Sequence, residues 1–211
     1  MTKRSLVFRA VASFVLFVVL GLAVKRYGEP ETLLQFEHAI VNHGDLVAWW
    51  LTWFGWIDVL APLCIVALLA GVIWPEWRAR AIFSVVLVIL AWGCSDLAQH
   101  LFARPRRMDW FVKHETAFSY PSTHAAVAFS FYWLWGVMLW RSRLPQFWRA
   151  VGFGTLAALA LAICWARLSL GAHYVTDIAG GALLAFALTS GGYALPFLSG
   201  RLGAVNGVWR P

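Results

Sequence analysis

The sequence predicts an all-α membrane protein: a polytopic helical bundle with six transmembrane helices and an amphipathic helix at the membrane interface. Of its 211 residues, 61% are hydrophobic and only 13% are charged, whereas soluble domains carry about 25% charged residues. The apolar residues gather in stretches of about 20, which is the length that crosses a bilayer as a helix. No internal repeat, low-complexity tract or linker divides the sequence. We therefore expect a single membrane-embedded domain over residues 1–211.

The six spans follow from the apolar stretches in chain order. They are predicted over residues 5–24, 57–74, 81–102, 122–140, 150–168 and 172–195. Residues 75–80 and 141–149 are predicted as short loops. Between the first two spans, residues 32–41 carry apolar side chains at the spacing of an amphipathic helix that lies in the interface. Five aromatic residues are expected to anchor the bundle at the membrane surface, namely Trp49, Trp50, Trp53, Trp56 and Tyr120.

The distribution of basic residues orients the bundle. With the amino terminus in the cytoplasm, ten of the 17 lysines and arginines fall on inner segments, as the positive-inside rule requires. The protein is then expected in the inner membrane, with both termini cytoplasmic. The net charge of +7 does not indicate nucleic-acid binding, because the basic residues are scattered over short loops and form no patch interleaved with aromatic residues. Most of the basic residues left outside lie in polar segments, which indicates an anionic ligand there.

Three polar clusters fall on the outer side of the predicted bundle. They read QHLFARPRR at residues 99–107, YPSTH at residues 120–124 and ARLSLGAHYVTD at residues 166–177. Each cluster lies where a predicted span ends or begins, and helix ends on one face of a bundle can converge on one site. Such a site would face the periplasmic side of the membrane.

Arginines and a helix amino terminus give these clusters the means to bind phosphate. The guanidinium groups of Arg104, Arg106 and Arg167 are planar donors that stay charged and match the oxygens of a phosphate group. Ser122 follows Pro121 and is predicted to cap the helix that starts there. The free N–H groups of the first helical turn would then point towards an anion.

Two histidines and an aspartate provide a nucleophile and a proton donor. His173 and Asp177 are four residues apart, so that on a helix they share a face. Asp177 can accept a hydrogen bond from one ring nitrogen of His173 and leave the other free to attack. The position of His173 near the start of the sixth span favours its neutral form. His124, in the first turn of the fourth span, is available as the proton donor.

The clusters resemble the signature of the type 2 phosphatidic acid phosphatase superfamily, also called the lipid phosphate phosphatases. That signature is Lys, six residues, Arg-Pro; then Pro-Ser-Gly-His; then Ser-Arg, five residues, His, three residues, Asp. The second motif here is PSTH and the third is ARLSLGAHYVTD. In the first motif Arg106 takes the place of Arg, Gln99 that of Lys and Arg107 that of Pro. Thr123 replaces Gly, and Ala166 replaces Ser.

The resemblance to this family implies a reaction and a role for each residue. His173 would attack phosphorus and form a phosphohistidine, Asp177 would orient it, and His124 would protonate the leaving oxygen and then activate water. Fixed positive charge and oriented N–H groups stabilise the transition state, so that neither a metal ion nor another cofactor is implied. The phosphoryl oxygens would be held by Arg106, Arg167, Ser122 and the backbone near Thr123. The implied substrate is a membrane lipid with a phosphate or diphosphate, such as a polyprenyl diphosphate or phosphatidate.

Gln99 is the departure from the signature with the largest expected effect, because an amide carries no charge. Gln99 and Arg104 are both predicted to contact the substrate, and Arg104, Arg107 or Lys113 could supply the missing charge. Two alternatives to hydrolysis remain open. A second lipid hydroxyl in place of water would make the protein a lipid-to-lipid phosphotransferase. With Gln99 and the intramembrane Asp96, the chain could instead bind or transport a lipid phosphate without turnover.

Overall fold

The structure is a computed structural model that describes residues 2–42, 45–106 and 118–195. Within these ranges the regular structure is helical and contains no strand, which confirms the all-α prediction for this part of the chain. The first half contributes α1 (Lys3–Tyr27), α2 (Glu31–Ile40), α3 (Leu46–Trp53), α4 (Ile57–Ile73) and α5 (Pro75–Phe102). The second half contributes α6 (Thr123–Ala128), a π-helical segment (Phe129–Trp133), α7 (Leu134–Trp140), α8 (Gln146–Ser169) and α9 (Val175–Ala194).

Several helices are suited to a membrane. In the described part of the chain, α1, α5, α8 and α9 are each long and apolar enough to cross a bilayer. α3 and α4 meet at a bend of 46° and together form a fifth candidate span. Large apolar side chains on these helices are exposed, as expected where lipid covers the protein. The chain is therefore a multi-pass membrane protein, whereas six spans stay a prediction because residues 123–140 are divided into three shorter segments.

Helices extend into both of the predicted short loops. α5 begins at Pro75, so that residues 75–80 form its first turns instead of a loop. The N–H at the first position of a helix has no partner within the helix, so proline, which lacks an N–H, is favourable there. α8 begins at Gln146, so that only residues 141–145 connect it to α7. The predicted loop boundaries at 75–80 and 141–149 are wrong in this respect.

Three other helices differ from the predictions in smaller ways. The helix predicted over residues 32–41 is observed as α2, and its location at the interface stays a prediction. α3 is a helix that the apolar pattern does not predict. α9 begins at Val175 rather than at residue 172. The carboxylate of Asp177 accepts a hydrogen bond from the N–H of Tyr174 (2.9 Å) and so stabilises the helix start at that point.

Tyr120 is fully buried and is not the interfacial anchor that the sequence predicts. Its ring stacks on Phe17 (5.6 Å between centroids) and meets the edge of Phe102 (5.1 Å). Its hydroxyl donates to the carbonyl of Phe17 (2.6 Å). A Cβ at Gly180 would lie 2.4 Å from this ring, so only glycine lets α9 approach it. Tyr120, the first residue of the second cluster, thus joins α1, α5 and α9.

Backbone contacts at one end of the bundle bring polar clusters together. α5 ends at Phe102, and Ala103 breaks the helix with a left-handed conformation (φ 51°). The N–H of Ser119 then donates to the carbonyl of Arg104 (2.8 Å). The N–H of Ser122 donates to the carbonyl of Asp177 (3.0 Å). The end of α5 and the starts of α6 and α9 therefore meet, as the clusters predict.

Candidate active site

His173 lies in the short segment between α8 and α9, and only 1% of it is exposed. It precedes α9, so the prediction that it shares a helix with Asp177 is wrong. The two side chains nevertheless meet, because Nδ1 of His173 is 3.4 Å from Oδ2 of Asp177. With a proton on Nδ1 directed at the carboxylate, Nε2 keeps its lone pair. His173 is therefore a candidate nucleophile through Nε2.

The second ring nitrogen of His173, Nε2, faces Arg106. Nη1 of Arg106 is 3.5 Å from Nε2 and donates to the carbonyl of Ala172 (3.2 Å). Burial, followed by the charge of Arg106, lowers the pKa of His173 to about 4, although Asp177 acts in the opposite direction. The imidazole is therefore neutral at pH 7, as a nucleophile must be. A phosphoryl group bound to Arg106 would lie next to Nε2.

The carboxylate of Asp177 is held by several donors besides His173. Oδ1 accepts a hydrogen bond from Nη1 of Arg104 (2.6 Å). Oδ2 accepts from the N–H of Tyr174 (2.9 Å) and from the hydroxyl of Ser119. These bonds fix the carboxylate within a fully buried position. A rigid acceptor of this kind sets the orientation of the imidazole that it contacts.

Arg104 connects Asp177 to the segment between α1 and α2. Its Nη2 donates to Oε2 of Glu29 (2.8 Å), and its guanidinium lies over the ring of Tyr174 at 4.0 Å from the centroid. The side chain is buried. Arg104, which the sequence predicts as a substrate ligand, thus lies between the carboxylates of Glu29 and Asp177.

Arg167 occupies the last turn of α8 and is completely buried. Its Nη1 donates to the hydroxyl of Thr52 on α3 (3.0 Å). The charges of Arg167 and Arg106 each act on both His124 and His173. Two guanidinium groups are therefore within electrostatic range of the two histidines.

His124 follows the first residue of α6 and is buried. Its Nε2 has no hydrogen-bond partner among the described residues. The ring meets the edge of Trp56 (5.2 Å between centroids, 88° between planes) and packs against Gly55. Trp56 therefore contacts the candidate site, which its predicted role as a membrane anchor does not include. A buried nitrogen without a protein partner is available to a ligand.

The turn into α6 is held by Gln99. As predicted, Ser122 caps this helix, with its hydroxyl oxygen accepting from the N–H of Ala125 (3.4 Å). Gln99 is 4% exposed and donates from Nε2 to the carbonyl of Pro121 (2.9 Å) and to the hydroxyl of Thr123 (3.1 Å). The amide and the threonine thus form a contact at the two positions where the signature has lysine and glycine.

One other predicted contributor, Asp96, lies apart from the site. Asp96, on which the transport alternative depends, has a side chain that is 61% exposed and lies 4.0 Å from His100 on the surface of α5. Arg107 and Lys113 fall outside the described residues. In the part of the chain that is described, no three His, Cys, Asp or Glu side chains converge closely enough to hold a metal ion.

Sequence reasoning missed two acids that support the site. Oε1 of Glu37 accepts from the N–H of Val175 (2.7 Å), and Oε1 of Glu29 accepts from the N–H of Thr176 (3.2 Å). Carboxylates at this position satisfy the free N–H groups at the start of α9 and complement its dipole. One signal was present, because Glu37 falls on the apolar face of the amphipathic helix. A charged residue on such a face implies a buried partner.

The comparisons with known proteins agree with the three motifs. A family model described as the PAP2 superfamily matches residues 81–201, which is more than half of the chain and includes all three clusters. The fold is similar to the crystal structure of the first transmembrane PAP2 type phosphatidylglycerolphosphate phosphatase from Bacillus subtilis. The TM-score is 0.70 with 20% identity, over 88% of this chain and 96% of that chain. No curated protein has a matching sequence. The resemblance seen in the motifs is confirmed, and the chain belongs to the PAP2 superfamily.

Proposed function

We propose that the protein hydrolyses a lipid phosphate or diphosphate without a metal ion, through a phosphohistidine at His173. One observation carries the proposal: Nδ1 of His173 rests against Asp177 while Nε2 faces Arg106. A histidine held in this way has one nitrogen fixed and the other, uncharged, at an anion site. Membership of the PAP2 superfamily and a helical membrane fold support a lipid phosphate as the substrate class.

In the first step, Nε2 of His173 attacks the phosphorus atom opposite the lipid oxygen. The P–N bond forms, the P–O bond to the lipid breaks, and His124 gives its proton to the leaving oxygen. Arg106 and Arg167 stabilise the negative charge on the phosphoryl oxygens. The two guanidinium groups disfavour a positive charge on His124. The negative charge of the bound substrate offsets them and favours the protonated form of His124.

In the second step, His124 is neutral and takes a proton from a water molecule. The water oxygen attacks phosphorus, the P–N bond breaks, and inorganic phosphate leaves as His173 is restored. Asp177 keeps the proton on Nδ1 throughout, so that Nε2 serves first as nucleophile and then as leaving group. The backbone N–H groups at the start of α6, beside Thr123, are additional donors to the phosphoryl oxygens.

Gln99 contributes by supporting the turn that carries His124. Its amide donates to Pro121 and Thr123, so we assign it to positioning this turn and not to neutralising the phosphate. A catalytic site with Gln99 then differs from the signature in how the turn is held, while its nucleophile and proton donor are kept. This favours turnover over the alternative of binding alone.

We place the reaction at the outer, periplasmic face of the inner membrane, with both termini in the cytoplasm. The site occupies one end of the bundle. At the other end, Phe83 near the start of α5 contacts Tyr193 near the end of α9. The first turns of α5 carry the arginines at positions 78 and 80, and the segment between α7 and α8 carries those at positions 141 and 143. The positive-inside rule assigns that end to the cytoplasm.

Release of inorganic phosphate by the purified protein tests the proposal. The substrates are phosphatidate, phosphatidylglycerol phosphate and a polyprenyl diphosphate, each assayed in EDTA. We expect release from at least one of them and a loss of about 1,000-fold or more in His173→Ala. His100→Ala, which changes an exposed histidine of α5, is the matched control. Full activity in His173→Ala would refute the proposal, and a phosphorylated lipid acceptor in place of phosphate would identify a transferase.

A further inference from the structure

The corner between α3 and α4, residues 52–56, packs against the proposed active site, although none of the three motifs includes it. The two helices meet there at 46°. The hydroxyl of Tyr132, in the π-helical segment, donates to the carbonyl of Phe54 (2.8 Å). Tyr132 is buried and follows His124 on the same run of helix. The corner is therefore hydrogen-bonded to the run of helix that carries the proposed proton donor. π-Helical turns such as the one that contains Tyr132 are frequent at functional sites.

Gly55 lies directly against the ring of His124. A Cβ added at Gly55 would be 2.4 Å from Cδ2 of His124, which is closer than Cβ atoms come to other atoms in proteins, and 3.1 Å from Cγ, which is a tight contact. Cδ2 is bonded to Nε2, the nitrogen that has no partner among the described residues. The missing side chain at position 55 thus allows the corner to touch the edge of His124 that would transfer the proton.

Trp56 and Thr52 make the contacts on either side of Gly55. The indole of Trp56 is perpendicular to the ring of His124 and is partly exposed. The hydroxyl of Thr52 accepts a hydrogen bond from Nη1 of Arg167 (3.0 Å) in a buried position. One short corner therefore contacts both the proposed proton donor and a proposed phosphate ligand.

We propose that Gly55 and Trp56 form the wall of the pocket on the side of the leaving group and position His124 for proton transfer to the lipid oxygen. The inference rests on the proposed function. The oxygen that stays with the lipid must come within hydrogen-bond reach of Nε2, and the corner borders this nitrogen. The first atoms of the lipid beyond the phosphate then lie against the corner. Gly55 and Trp56 act through His124 and are positioning residues.

Such a role has a consequence that a purely structural role lacks. A lipid alkoxide is a poor leaving group and needs a proton as it departs, whereas p-nitrophenolate is stable as an anion and leaves without one. Displacing His124 should therefore slow the attack on a lipid phosphate and spare phosphorylation of the enzyme by p-nitrophenyl phosphate. A general disturbance of the fold would slow both reactions equally.

Gly55→Ala tests the inference, with Gly93→Ala as the control, because a Cβ at Gly93 meets no heavy atom within 4 Å. The two measurements are phosphate release from a lipid phosphate and the initial burst of p-nitrophenolate, which reports enzyme phosphorylation alone. We expect Gly55→Ala to lower kcat for the lipid by about 100-fold and to retain the burst. Gly93→Ala should match the wild type in both. Equal losses in the two measurements, or no loss for the lipid, overturn the inference.

Trp56→Phe keeps the test decisive if Gly55→Ala does not fold. It retains an aromatic ring but alters the contact with His124, so the same split between the two substrates is expected with a smaller loss. Equal effects on both substrates again overturn the inference. A wild-type protein that cleaves neither substrate would instead contradict the proposed hydrolysis, so the two failures are distinguishable.

Discussion

His173 has neighbours that act in opposite directions on its charge. Burial and Arg106 disfavour the imidazolium, Asp177 favours it, and the net effect is a pKa of about 4. A protonated ring has no lone pair for attack, so kcat/KM should fall as the pH drops through this pKa. Above it the nucleophile is neutral, and its activity needs no further deprotonation.

Arg106→Gln tests this balance of charges. Loss of the guanidinium raises the pKa of His173, so the acid limb of the pH profile of kcat/KM should move to higher pH. At neutral pH, kcat/KM should also fall by about 100-fold, because a charged donor to the phosphoryl group is lost. Arg106→Lys keeps the charge and should keep the limb near its wild-type position. If the acid limb of the pH profile did not move in Arg106→Gln, Arg106 would have no effect on the pKa of His173.

Gln99 and Thr123 form a pair whose coupling can be measured in a double-mutant cycle. Gln99→Leu deprives the carbonyl of Pro121 and the hydroxyl of Thr123 of their donor, and should lower the free energy of unfolding by about 1–3 kcal/mol. Thr123→Val removes the hydroxyl alone. Denaturation in detergent should show that the two effects combine to less than their sum, by about 1 kcal/mol. Strictly additive effects would mean that the two side chains act independently.

The proximity of the motif residues could be predicted, because each polar cluster lies where a predicted span ends or begins. Four of them lie buried near one another, namely His124, Arg167, His173 and Asp177. Gly55 and Trp56 could not be predicted in this way. The bend that brings them to His124 leaves no local pattern, and a tryptophan-rich apolar segment fits a membrane anchor equally well.

Arg104 joins the α1–α2 segment, through Glu29, to the start of α9, through Asp177. Its removal leaves two buried carboxylates without their counter-charge, which costs about 3–5 kcal/mol. We therefore expect Arg104→Gln to lower the midpoint of thermal unfolding far more than Arg106→Gln does, although each change removes one guanidinium near His173. If Arg106→Gln were the more destabilising variant, the division between a supporting and a substrate-binding arginine would be wrong.

α9 approaches the turn into α6 closely at Gly181. A Cβ there would lie 2.4 Å from the carbonyl oxygen of Ser122. Gly181→Ala should push the turn away from α9, destabilise the protein by about 1–3 kcal/mol and lower phosphate release. Gly154→Ala on α8, where a Cβ meets no heavy atom within 4 Å, should be neutral or slightly stabilising. Similar unfolding curves for the two variants would show that the contact between α9 and the turn into α6 tolerates a side chain at position 181.

The long helices are predictable because a stretch of about 20 apolar residues has few alternatives in a bilayer. Their ends are less predictable. Charged residues over positions 75–80 read as a loop, yet they form the first turns of α5. The start of α9 depends on a hydrogen bond between Tyr174 and Asp177, which the helical spacing of His173 and Asp177 does not reveal.

The proposed orientation places the site and the two termini on opposite sides of the membrane. Cysteines introduced one at a time at the exposed positions Glu31 and Arg143 test this orientation. A maleimide that cannot cross the membrane should label Glu31→Cys in intact cells and Arg143→Cys only after the cells are opened. The wild type gives the background from the native cysteines, which lie within helices. The reverse pattern would move the site to the cytoplasm.

The chemical identity of the intermediate bears on the whole mechanism. The purified protein is mixed with a lipid phosphate that carries labelled phosphorus, denatured in alkali to preserve phosphohistidine, and digested for mass spectrometry. We predict label on His173 in the wild type and none in His173→Ala. Cleavage of the lipid without label on His173, or with label on another residue, would contradict the mechanism.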